Sequence, residues 1–112
     1  MPVGSVKVKL DVNDMTQEDG ARVMLRHKLL VEEFEEVMKA TNPEELIKEA
    51  CDLVYVILGM FVEFGWDFDK AFNRVHESNM SKLDENGKPI YRNDGKVLKG
   101  PNYKTADMSD LV

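Results

Sequence analysis

The chain has 112 residues, of which 43% are hydrophobic and 32% charged, the balance of one globular domain and not of a disordered chain. A net charge of −6 argues against a general nucleic-acid binder, and the longest apolar run, the ten residues 53–62, is too short to span a bilayer. Neither nucleic acid nor a membrane is therefore expected as a partner. The single cysteine, Cys51, forms no intrachain disulfide, and no N-terminal signal pattern appears, so the expected location is the reducing cytoplasm.

Residues 1–15 are weakly patterned, with Val6, Val8 and Leu10 alternating with Lys7 and Lys9 as in a short strand or extended arm. Thr16, with Asp19 three residues later, has the form of a helix start, and the first helix is expected over residues 17–40. Thr41-Asn42-Pro43 breaks it. Pro43 in a first-turn position, followed by Glu44 and Glu45 at the positive end of the helix dipole, opens a second helix that Gly65 ends. Asp67 or Asp69 caps a third helix reaching about residue 81. Two turn signals, Glu85-Asn86-Gly87-Lys88 and Asn93-Asp94-Gly95-Lys96, then suggest a small hairpin or ordered loop, and the end from Thr105 is expected to be loosely held. The fold class is all-α: an antiparallel helical bundle with a short C-terminal hairpin or loop tail. It forms a single domain over 1–112, with its helical body at 17–81 and its tail at 82–104.

Charge divides along the same line. Residues 1–81 carry nine Lys/Arg against sixteen Asp/Glu, whereas residues 82–104 carry six against three. Such blocks are usually solvated. Beside an acidic site, a basic tail is also where phosphates could be gripped.

Five of the acids form a pattern. Glu32, Glu33 and Glu36 read E-E-x-x-E, and after twelve intervening residues Glu49 and Asp52 read E-x-x-D. On helices of about 3.6 residues per turn, positions three or four apart share a side. Folding back at Pro43 brings the two groups together. On a wheel of the first helix, Val23, His27, Leu30, Phe34, Val37 and Met38 form an apolar stripe, while Glu33 and Glu36 share an arc with Leu25, Leu29 and Ala40. In the second helix residues 53–62 are apolar all round, the mark of a central buried helix, and Glu49 and Asp52 immediately precede them. Half-buried carboxylates need compensating cations. The only basic residues between Glu32 and Glu63 are Lys39 and Lys48, and their wheel positions direct both elsewhere. A hard divalent metal, Mg²⁺ with Mn²⁺ as a substitute, is the expected partner of these oxygens. A di-iron centre needs a Glu three residues before a His on two helices, but His27 and His76 follow Met24 and Asn73.

With these residues, over roughly 17–82, the chain resembles the MazG-like all-α nucleoside triphosphate pyrophosphohydrolases, a superfamily that includes phosphoribosyl-ATP pyrophosphohydrolases and dimeric dUTP/dCTP diphosphatases. The stretches His76-Glu77-Ser78-Asn79-Met80-Ser81-Lys82 and 94–103 are similar to the tails of small members. The resemblance implies Mg²⁺-dependent cleavage of the α–β phosphoanhydride of a nucleotide, giving a monophosphate and pyrophosphate. It implies Glu33, Glu36, Glu49 and Asp52 as metal ligands and Glu32 as the residue that positions or deprotonates the attacking water. Asn79 and Lys82 would contact sugar or phosphate, and Lys96, Lys99 and Tyr103, with Lys104, would close over the phosphates. Helices of this size leave an apolar face unburied, and members are dimers or tetramers, so a homodimer or homotetramer is expected. His76 is read as packing or hydrogen-bonding and Trp66 as packing at the helix corner. Two other functions compete: phosphoribosyl-ATP hydrolysis, and a non-catalytic helical regulatory or oligomerisation module that merely retains the acids.

Overall fold

The structure, a computed structural model, describes Leu10 and residues 16–112. The strand or arm expected over residues 1–15 lies outside the described residues, Leu10 excepted. Among the described residues there are three α-helices and no strand: α1 (Gln17–Lys39), α2 (Pro43–Phe64) and α3 (Phe68–Met80). None is long and apolar enough to cross a membrane.

Local chemistry sets the helix ends. The Thr16 hydroxyl accepts the Asp19 N–H at 3.0 Å, satisfying one of the free donors that open α1. Asn42 does the same for the Glu45 N–H at 2.9 Å. Glu45 returns the contact, its carboxylate accepting from the Thr41 N–H at 3.0 Å and hydroxyl at 3.1 Å. These bonds, the backbone one first, hold the Glu45 carboxyl below its ordinary range. α2 stops at Gly65, whose φ of 71° lies in the left-handed region that glycine enters without steric cost. Asp67 then caps α3 by accepting the Lys70 N–H at 3.1 Å.

The chain divides into two compact units, residues 1–66 and 67–112. In the first, the short link after Lys39 reverses the chain, and α1 packs along α2 as an antiparallel hairpin. Its core lies at one end, where Val23 and Phe64 are buried. Trp66 packs on Phe64 at a centroid distance of 5.0 Å and meets the Phe61 ring edge-on at 5.7 Å. Above Phe64 lies the Arg22 guanidinium, 5.8 Å from the ring centroid. Arg22 reaches Glu63 at 3.0 Å, and Arg26 closes on the other oxygen of the same carboxylate. Arg26 and then Arg22 hold the Glu63 carboxyl below its usual value.

The apolar surfaces differ from expectation. Residues 53–62 are not buried all round: Val54 and Val62 are exposed, and Tyr55 is 80% exposed. On α1, Leu30 and Val37 are half-buried, whereas His27, Phe34 and Met38 are exposed. The cause is geometric. A two-helix hairpin covers one side of each helix, while the apolar surface of these two extends further round.

In the second unit the chain returns along α3. Lys104 docks on its last turn through both backbone groups, its C=O accepting from the Ser78 hydroxyl at 2.8 Å and its N–H donating to Ser81 Oγ at 2.9 Å. Further on, the Arg74 guanidinium grips both oxygens of Asp110 and donates to the Asp107 carbonyl at 3.0 Å. The end from Thr105 is therefore tied down and not loosely held, because a forked guanidinium engages carboxylate and carbonyl together. Arg74 lowers the Asp110 carboxyl to about 2. Between α3 and the last turn, Asp84 accepts the Asn86 and Lys88 N–H groups, both at 2.9 Å. Beyond it, Arg92 N–H donates to the Lys96 carbonyl at 2.7 Å, and Leu98 N–H to Ile90 at 2.7 Å. One antiparallel bridge, Tyr91 with Val97, stands where a strand pair would.

Candidate functional site

The antiparallel pairing that sets Arg22 and Arg26 beside Glu63 also sets the middle of α1 beside the start of α2. Glu33 from α1 and Glu49 and Asp52 from α2 each offer a carboxylate oxygen, and these atoms lie within 4.8 Å of one another. All three residues are half-buried. Glu49 and Asp52 share a side because they stand one turn apart.

The donor set suits a hard divalent ion. Oxygens that bind Mg²⁺ at about 2.1 Å stand at most about 4.2 Å apart across the ion. Adjacent ligands of such an ion stand only about 3.0 Å apart, so oxygens spread over as much as 4.8 Å would have to draw together by up to about an ångström or more to hold it. Three carboxylates and no thiolate or imidazole favour Mg²⁺ or Mn²⁺ over softer metals.

Glu32 and Glu36 are exposed and stand outside this group of three. Glu36 is one turn along α1 from Glu33, and Glu32 is adjacent to it. The five acids thus divide into three that converge on the helix interface and two at its edge.

Lys48 corrects the wheel reading. Its ammonium lies 2.7 Å from Asp52 Oδ2 and 3.3 Å from Glu49 Oε1. These partners, Asp52 first, raise its pKa above the ordinary lysine value. Lys48 and Asp52 stand four residues apart and so share a side of α2, which the wheel reading overlooked, and the flexible stem also reaches Glu49.

The residues expected to meet substrate lie in the second unit. Asn79 is exposed, and its carbonyl accepts the Lys82 N–H at 3.1 Å, which closes the C-terminus of α3. Lys99 Nζ stands 4.9 Å from the centroid of the Tyr103 ring. Hydrogen bonds from Thr105 and then Ser78, with the charges of Lys99 and Lys82, hold the Tyr103 phenol below its usual value. Lys99 and Tyr103 thus pair as cation and aromatic ring, with the backbone of Lys82 close to that of Gly100. Gly100 allows that approach: a Cβ there would stand 2.4 Å from the Lys82 carbonyl oxygen and 2.6 Å from that of Leu83. Lys96 is exposed in the turn closed by Arg92, where Asp94 accepts its N–H at 3.2 Å. His76 is exposed.

The Glu63 clamp and the Arg74 fork were missed from the sequence. Partners 37 and 41 residues apart in the one, and 36 in the other, leave no local signal.

In the solved structure of a "putative NTP pyrophosphohydrolase" from Exiguobacterium sp. 255-15, a similar chain is 28% identical, with a TM-score of 0.51. The match covers 88% of the present chain and 63% of that one, so the present chain spans less than two thirds of its length. No curated protein matches. The family model for phosphoribosyl-ATP pyrophosphohydrolase matches residues 9–79, which include all five acids, α1 and α2. The chain belongs to the phosphoribosyl-ATP pyrophosphohydrolase family.

Proposed function

We propose that the protein is a metal-dependent nucleotide pyrophosphohydrolase that converts a nucleoside or deoxynucleoside triphosphate to the monophosphate and pyrophosphate. The observation that carries this reading is the convergence of Glu33, Glu49 and Asp52 from two helices. Family membership and the similar solved structure support the same class of reaction.

Glu33, Glu49 and Asp52 would hold Mg²⁺, with Glu36 joining from one turn along α1. Metal there would neutralise the triphosphate and stabilise the charge that develops on its oxygens. Glu32, exposed beside Glu33, would accept the proton of the attacking water. The water oxygen bonds to one phosphorus of the α–β bridge. The bridging oxygen departs with the electron pair, and the proton passes from the carboxylate to solvent. Lys82, Lys99 and Tyr103 would meet the phosphates, and Asn79 and Lys96 would add contacts to sugar or phosphate. Exposed apolar residues recur at helical spacing on α2 (Ile47, Val54, Tyr55, Val62) and on α1 (Met24, Val31, Phe34, Met38). A second copy of the chain would cover them, giving a homodimer or homotetramer. The reducing cytoplasm suits the exposed thiol of Cys51.

Phosphoribosyl-ATP is the second candidate substrate, favoured by the name of the family. Hydrolysis of the common ribo- and deoxyribonucleoside triphosphates and of phosphoribosyl-ATP, with and without Mg²⁺ and with products identified, decides between them. Metal-dependent release of pyrophosphate from one class names the substrate. Release of orthophosphate, or no turnover, removes the reading in favour of a non-catalytic helical module.

A further inference from the structure

Lys48 belongs to none of the five positions of the carboxylate pattern, yet its ammonium is shared between two of the three converging acids. It stands 2.7 Å from Asp52 Oδ2 and 3.3 Å from Glu49 Oε1. A metal bound by Glu33, Glu49 and Asp52 needs oxygens of the same two carboxylates. A lone pair directed at an ammonium hydrogen is not available to a metal, and a positive charge left that close opposes a divalent ion.

The Lys48 side chain is 67% exposed and that of Glu49 17%, so the lysine grips the acids from the solvent rim. Its flexible stem can withdraw into water without moving either helix.

We propose that Lys48 is a built-in counter-cation that competes with the divalent metal for Glu49 and Asp52. Metal enters by exchange with the ammonium, and Lys48 sets the affinity of the site. The inference rests on the metal reading above. It assigns Lys48 a tuning role, acting through the ligands and not on the substrate.

The test is calorimetric titration of Mn²⁺ and Mg²⁺ into the chelator-treated full chain, comparing wild type, Lys48→Gln, Lys48→Arg and Lys28→Gln. Lys28, exposed on α1, controls for loss of one positive charge elsewhere on the hairpin. Lys48→Gln is expected to tighten metal binding about two- to fivefold at low salt, the scale of an exposed ion pair. The gain should shrink as added salt screens the charge. Lys48→Arg should stay near wild type, and Lys28→Gln should move affinity less than Lys48→Gln. Thermal melts give an independent readout: Lys48→Gln should gain more stability from saturating metal than wild type does. Unchanged affinity in Lys48→Gln, or an equal change in Lys28→Gln, overturns the proposal while leaving the metal reading intact. If no form of the protein binds metal, the metal reading fails and this inference with it.

Discussion

Glu63 shows what one side chain does for the hairpin. Two guanidiniums from α1 converge on its carboxylate, which is 19% exposed. Glu63→Gln leaves Arg22 and Arg26 without their acid and should lower unfolding free energy by about 1–2 kcal/mol, read from urea denaturation. The pH dependence has a definite sign. The folded carboxyl is held below its ordinary 4.5, so its contribution is complete above that value and is lost as pH falls through the lower folded value. Wild type should therefore lose part of its advantage over the glutamine variant in acid. A constant difference across that range would contradict the clamp. The Glu63 clamp was not legible in the sequence, whereas the Lys48 contact with Asp52, four residues on, was open to the helical spacing rule and was misread. The clamp depends on which turns of two helices meet.

The helices themselves were legible because their ends are local chemistry. Thr16, Asn42 with Pro43, Gly65 and Asp67 stop or start the helix through bonds to neighbours three or four residues away or through a φ that glycine tolerates. The tail was less so. Turn signals at Asn86-Gly87 and Asp94-Gly95 marked its corners, but its attachment to α3 runs through Ser78, Ser81 and Arg74, far away in sequence. Gly100 is the tightest point of that attachment. The two oxygens a Cβ would meet belong to backbone, so neither can swing aside. Gly100→Ala should displace the segment, cost about 1–3 kcal/mol in thermal denaturation and speed amide exchange around residues 82–84 and 100–104. Wild-type exchange in the variant would mean that the close approach does not hold the tail.

For the whole molecule, the proposed oligomer is the reading that would cover the exposed apolar side of α2. Within one chain Tyr55, Val54 and Ile47 remain exposed on α2. Light scattering coupled to gel filtration should find a dimer or tetramer in wild type, and Val54→Asp should shift it to monomer. A wild-type monomer would remove the oligomer from the account. The carboxylate site was legible in part for a related reason. The spacing of Glu33, Glu49 and Asp52 on two helices joined by a short break brings them together, whereas nothing local distinguishes them from Glu32 and Glu36, which lie exposed beside them.

Pyrophosphate release from the preferred nucleotide at saturating Mg²⁺, by wild type and by Asp52→Asn with matched thermal melts, tests the central claim most directly. The account predicts that loss of one of the three converging carboxylates lowers turnover at least about a hundredfold while the fold persists. Equal turnover in the two proteins would contradict it.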